Sequence, residues 1–237
     1  MTSKTFTISG KTSELKHSLQ NTLYLENGNY GLALISLDMF YSVPNITKKN
    51  NKFKYSLDSG VSWNTITLNK GFYTLDLLYN EIKFILNLKS GSVPFSFSPN
   101  KAKPNVRIEI KDPKFQINFK DNDTFGNLLG FNFILKDGIG FYDSSIPINF
   151  FPLNQIFIKT NITEHEYLNG RLKPIVYNFF PNCLPGDRAI EKPFNLIYHK
   201  IIKKILHELH IEIVDENDNH IDLNNETIYL TFHLKDL

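Results

Sequence analysis

The chain has 237 residues, a formal net charge of +2, 21% charged residues and a single cysteine, Cys183. That length fits one large domain or two small ones, and size scaling leaves enough burial for a core that needs no cross-links. The near-balanced charge excludes a strong electrostatic pull toward nucleic acid or an anionic membrane, and a lone cysteine excludes an internal disulfide framework.

Residues 1–20 are polar, rich in Ser, Thr and Lys, with little periodicity. They read as an extended arm ahead of a single domain over 21–237. They contain no apolar run of signal-peptide length, and no later run reaches the length of a membrane span free of charge. The expectation is synthesis inside the cell with no membrane span. Four N-x-T sequons, at Asn45, Asn122, Asn161 and Asn225, are what an Asn-rich chain yields by chance, and without a secretory signal they are expected to stay unused.

From residue 21 onward β-type patterns dominate. The apolar and aromatic run 29–43 ends at Pro44, and the segments 52–57 and 61–68 alternate around Asp58-Ser59-Gly60, a hairpin signal. Residues 74–88 break the pattern. Leu75, Leu78, Tyr79, Ile82, Ile85 and Leu86 recur at helical spacing and predict an amphipathic helix. A Gly/Ser/Pro-rich loop is expected at 90–104, then strands at 106–110 and 114–119. In "DNDTFGNLLGF" (121–131), Asp121 or Asp123 reads as the cap of a short apolar turn (Phe125, Leu128, Leu129) that stops at Gly130. Strand-like runs follow at 131–135, 146–151, 154–162 and 174–180. The stretch 194–214 is open to two readings. Its apolar stripe predicts a helix over 197–208, whereas Leu209, Ile211 and Ile213 alternate as a strand. Many short strands with one or two helices predict an all-β sandwich, and no linker divides it.

Candidate sites are few. Asp121, Asp123 and Gly126 match a calcium loop at positions 1, 3 and 6, but Phe125 and Asn132 fail at 5 and 12. Asp215, Asn217, Asn219 and Glu226 match positions 1, 3, 5 and 12 of a second loop. His220 stands where glycine is needed, and the flanks are strand-like, so this reads as an Asp/Asn-rich turn of a hairpin. His199, His207 and His210 invite a zinc reading, but "HELH" lacks the four-residue spacing of H-E-x-x-H and no third ligand stands at a recognisable spacing. Cys183 has no sequence-adjacent partner that would make it a nucleophile, and no G-x-S-x-G, P-loop or dinucleotide fingerprint occurs. No catalytic, cofactor-binding or metal-ligating residue is therefore assigned. Twenty Phe and eleven Tyr are more than a small enzyme core demands, and aromatics serve subunit interfaces as well as cores.

The order of "LALISLDMFYSVPNI", "GVSWNTITLNKGFYTLDLLYNEIKFIL", "FGNLLGF", "NQIFIKTNI…YLNGRLKPIVYNFFPNCLPGD" and "IEIVDENDNHIDLNNETIYLTFHLK" resembles the minor capsid, or penton, proteins of Polintons (Mavericks), adintoviruses and their relatives. The resemblance covers about residues 24 to 235 and is sharpest at 128–131, 179–186 and 230–235; it departs from the family at "DENDNH", where a Gly-containing turn is usual. It implies a single jelly roll of two antiparallel sheets and a homopentamer at the icosahedral vertices of a virion, set among a double jelly-roll major capsid protein. It also implies largely extended or looped chain at 197–208 and a non-enzymatic role. Within that fold the turn at 121–130 would be a corner, with Phe125, Leu128 and Leu129 plugging one end of the sandwich. Two rivals remain: a β-sandwich module binding a glycan or other ligand, and a hydrolase on a β scaffold. The first lacks a clustered aromatic or acidic site, and the second lacks a nucleophile–base or paired-carboxylate constellation.

Overall fold

The chain opens with three strands, β1 (Ser3–Gly10), β2 (Glu14–Tyr24) and β3 (Tyr30–Phe40). Its middle carries β4 (Lys52–Ser56), β5 (Asn64–Thr67), helix α1 (Leu75–Ser90), β6 (Phe95–Pro99), β7 (Val106–Ile110), β8 (Gln116–Asn118), helix α2 (Gly126–Leu129), β9 (Ile134–Leu135) and β10 (Gly140–Asp143). The last part carries β11 (Ile156–Thr160), β12 (Glu166–Leu168), β13 (Arg171–Lys173), β14 (Ile175–Phe179), β15 (Arg188–Glu191), β16 (His199–Lys200), β17 (Ile205–Val214) and β18 (Ile228–Asp236). The computed structural model describes residues 3–25, 29–91, 93–100, 103–151, 153–183 and 186–237, apart from the side chains of 89 and 90. Part of the Phe-Phe-Pro…Pro-Gly stretch, residues 184 and 185, lies outside the described residues.

Two compact units form, one from Met1–Val43 with Leu153–Leu237 and one from Pro44–Pro152. In the first, one sheet runs β1-β18-β3-β15, with β16 also on β3, and the other runs β14-β11-β17-β2. Setting aside the small hairpin β12–β13 and the short β16, the pairing is nested. The first strand pairs with the last (β1 with β18), the second with the seventh (β2 with β17), the third with the sixth (β3 with β15) and the fourth with the fifth (β11 with β14), all antiparallel. This is a long hairpin rolled into two sheets, the connectivity of a jelly roll. Alternation along the strands fills the space between the sheets: Ile228, Leu230, Phe232 and Leu234 of β18 and Leu209, Ile211 and Ile213 of β17 share one buried cluster with Leu32, Leu34 and Leu37 of β3.

Three expectations for this unit are corrected. Residues 1–20 are not an arm. Ser3–Gly10 pairs along its length with Lys235–Ile228, and Ile8 and Leu15 are buried in the shared cluster. The signal was weak because only one face of an edge strand is buried, so Phe6 and Ile8 alone mark β1. The helical stripe at 197–208 forms no helix. It holds β16, loop and the start of β17, extended or looped as the family resemblance implied, and a bulge between Leu206 and Glu208 breaks the period-2 pattern that would have marked β17. Residues 215–226 do not close a hairpin either, because β17 and β18 lie in different sheets and the segment crosses between them.

The single domain over 21–237 is likewise corrected: Pro44–Pro152 is a unit of its own, inserted in the connection from β3 to β11. No long linker in the sequence marks its two ends; the bounds fall at Pro44 and Pro152. Its strands form β10-β7-β6 and β5-β4-β8-β9. The expected helix is α1, with Leu78, Ile82 and Leu86 buried. Thr74 caps it by accepting the Leu77 N–H at 3.3 Å, and Gly91 (φ +69°) closes it by donating to Asn87 O. The hairpin expected around Asp58-Ser59-Gly60 is β4 with β5. The loop expected at 90–104 contains β6, and 146–151 is not a strand. The abundant Phe has a structural use here. Phe53, Phe95, Phe115, Phe119, Phe125 and Phe131 pack into one core, with Phe95 stacked on Phe115 at 5.4 Å and Phe53 on Phe125 at 5.8 Å.

Candidate functional site

The acidic segment at 121–131 shows how local letters acquire partners only in three dimensions. Helix α2 is a single turn whose N-cap, Phe125, makes no side-chain cap bond, so neither Asp121 nor Asp123 caps it. Their carboxylates instead meet the neighbouring strand β4: Lys52 Nζ donates to Asp123 and Lys54 Nζ to Asp121, each at 2.7 Å, with Lys54 also 2.9 Å from Asp123. The hydrogen bonds from Lys52 and then Lys54 hold the Asp123 carboxyl down at about 2. Phe125 and Leu129 are fully buried, but in the core of the inserted unit, so the turn does not plug the jelly roll. Gly130 ends it at φ +82°, with Ile146 O 2.2 Å from where a Cβ would sit.

In the second acidic segment, Asp215 Oδ1 accepts the backbone N–H of Asn217 and of Asn219, both at 2.8 Å, which shapes the crossing between the sheets. Glu226 donates its own N–H to Leu223 O, and its side chain does not join Asp215. Asp218, held at φ +66°, takes Lys159 and Lys173. Burial pushes the Lys159 ammonium below its usual range. The segment is a polar clasp over β11 and β13.

The three histidines part company. His199 is buried, with Nδ1 3.3 Å from Glu166 Oε1. His207 shares a hydrogen bond with the Thr22 hydroxyl at 3.0 Å. His210 lies 3.1 Å from Glu14 Oε1 and 3.9 Å from Glu212 Oε1. Glu14, His210 and Glu212 are a grouping that sequence reasoning missed, because Glu14 stands opposite Glu212 only through the β2–β17 register. The Lys16 ammonium is already 2.6 Å from Glu14 Oε1, and its hydrogen bond holds the Glu14 carboxyl below the usual range. Cys183 is partly buried, and burial, followed by the charges of Asp187 and Glu191, pushes its thiol up, away from thiolate reactivity. Of the sequons, Asn45 is sealed in the inserted unit, its amide donating to Tyr73 O and Phe150 O. These clusters hold strands and loops in place, and among the described residues none joins a nucleophile to a base.

What remains is surface. On the outer side of the first sheet, Arg188 pairs with Asp38 and lies over the Phe40 ring, beside exposed Ile190 and Tyr229. Between β15 and β16, Phe194, Leu196 and Ile197 are exposed. Among the described residues, the strands at the sheet edges are β1 and β15 on one and β2 and β14 on the other.

No protein-family model matches the chain, and no curated protein matches it in sequence. Among solved structures, the crystal structure of the selenomethionine-labelled mavirus penton protein aligns with a TM-score of 0.52 at 13% identity, over 99% of this chain and 100% of that one. The chain shares the fold of the mavirus penton protein. The cryo-EM structure of the Sputnik virophage also aligns, with a TM-score of 0.45 at 10% identity, over 100% of this chain and 98% of that one. The penton likeness runs through the nested strands and the insertion alike, and the all-β, jelly-roll architecture expected from the sequence is thereby placed.

Proposed function

We propose that this chain is a structural capsid subunit, a penton that forms homopentamers at the icosahedral vertices of a virion. The observation that carries the reading is the full-length, both-chains coverage of the likeness to the mavirus penton protein. The clusters described above fit that role, since each one fastens strands or loops of its own unit. Five copies joined head to tail form a heterologous interface that closes into a ring. The neighbours in the lattice would be copies of a double jelly-roll major capsid protein, and the function requires no chemistry of the chain. The test is to purify the protein alone and together with that major capsid protein, then measure its mass in solution and image the assemblies. The expected result is a five-fold ring that occupies lattice vertices. A chain that stays monomeric and never enters a capsid lattice refutes the reading and favours a ligand-binding module.

A further inference from the structure

A cavity of about 240 Å³ opens in the jelly-roll unit. Its walls take Leu34 from one sheet and Val176 from the other, with Pro193 and Ile197 from the segment between β15 and β16, and its polar edge carries Glu166 and His199. A cavity of about 150 Å³ with apolar walls is enough to hold a benzene-sized group. Phe194 lies between two lining residues, Pro193 and Asn195, yet takes no part in the lining and is 99% exposed. An almost wholly solvated phenyl ring forgoes the full gain of burying a large apolar side chain. Exposed Leu196 and Ile197 follow it in the same segment and make the segment apolar, as protein–protein contact sites are.

We propose that Phe194 of one copy of this chain enters this cavity on the next copy. Charge complementarity supports a second copy as the occupant. Exposed Lys192 precedes the ring on the donating surface, and the half-exposed carboxylate of Glu166 stands on the receiving one. The fit in size supports it too. Because the ring and the cavity are near neighbours on one subunit, a rotation that carries one onto the other has its axis close by, which sets the contact beside the symmetry axis of the oligomer. The inference rests on the reading of the chain as a self-assembling subunit and names the surface that does the joining.

The test is sedimentation velocity and native mass measurement on the full chain, on Phe194→Ala, on Lys192→Glu, on Glu166→Lys and on the Lys192→Glu/Glu166→Lys pair. Phe194→Ala is expected to weaken self-association about tenfold or more, with thermal melting of the dissociated chain unchanged. Each charge reversal alone should weaken it, and the two together should restore it. A five-fold ring as stable in Phe194→Ala as in the natural chain overturns the contact and leaves the vertex reading standing. A two-fold dimer that dissociates in Phe194→Ala supports the contact and sinks the vertex reading. A natural chain that never self-associates overturns the contact, and so does a Phe194→Ala effect seen only as loss of folding, which would mean that the ring fills its own cavity.

Discussion

Replacing Ile8 with alanine and, separately, Thr7 with alanine separates a structural strand from a loose arm. The two residues are neighbours on β1 and face opposite ways. Ile8, opposite Leu230 of β18, is 3% exposed within the jelly-roll cluster, whereas Thr7 faces solvent, its hydroxyl 3.3 Å from that of Thr231. Removing a buried isoleucine down to alanine costs about 2–5 kcal/mol, from lost transfer energy plus the cavity left behind. Because β1 is an edge strand and can shift to fill part of that cavity, the lower half of the range applies, about 2–3 kcal/mol. Thr7→Ala removes only exposed atoms and should stay within about 0.5 kcal/mol. In urea titration followed by circular dichroism, Ile8→Ala should lower the midpoint of the jelly-roll transition by roughly 1–1.5 M at a typical slope of about 2 kcal/mol/M. The midpoint of Thr7→Ala should not move. Equal and negligible effects of both would show that residues 1–10 are peripheral and would refute the strand assignment.

Gly130→Ala should cost at least about 2 kcal/mol more than Gly138→Ala, because both glycines have positive φ but only at Gly130 does a Cβ run into backbone, the carbonyl of Ile146. Equal melting temperatures for the two variants would contradict that packing. The Asp123 carboxyl is held at about 2 in the fold against an ordinary 3.8, so the unfolded chain binds more protons in that interval. Its contribution is therefore complete above the ordinary value and is lost as pH falls toward 2. Asp123→Asn should flatten this part of the acid limb of the stability profile, and an unchanged slope would show that Lys52 and Lys54 do not hold the carboxylate.

The elements legible from the letters are those whose signal lies within a few residues of itself. Leu78, Ile82 and Leu86 repeat at helical spacing between a capping Thr74 and a terminating Gly91, and α1 follows. Asp58-Ser59-Gly60 turns the chain between two alternating runs, and β4 pairs with β5. The overall jelly-roll class was legible as well, through the order and spacing of the longer resemblance, and the fold shared with the mavirus penton protein agrees with it.

Other features were decided only by tertiary structure. The stripe at 197–208 has a helical period, yet its Ile201 and Leu206 bury in the jelly-roll core without a helix, Leu206 opposite Leu23 of β2, and packing overrides local preference. Asp121 and Asp123 have the local look of helix caps, but lysines some seventy positions earlier in the chain claim them. Glu14, His210 and Glu212 meet because β2 pairs with β17, and no spacing in the sequence announces that. The insertion was hidden for the same reason: whether Pro44–Pro152 packs on itself is settled by which residues share a core, and two prolines mark its ends as they mark other turns. Periodicity and turn chemistry are properties of adjacent residues, so the sequence determined the local elements. The pairing of strands and the division of cores depend on contacts between residues far apart along the chain, and only the folded chain chooses among them.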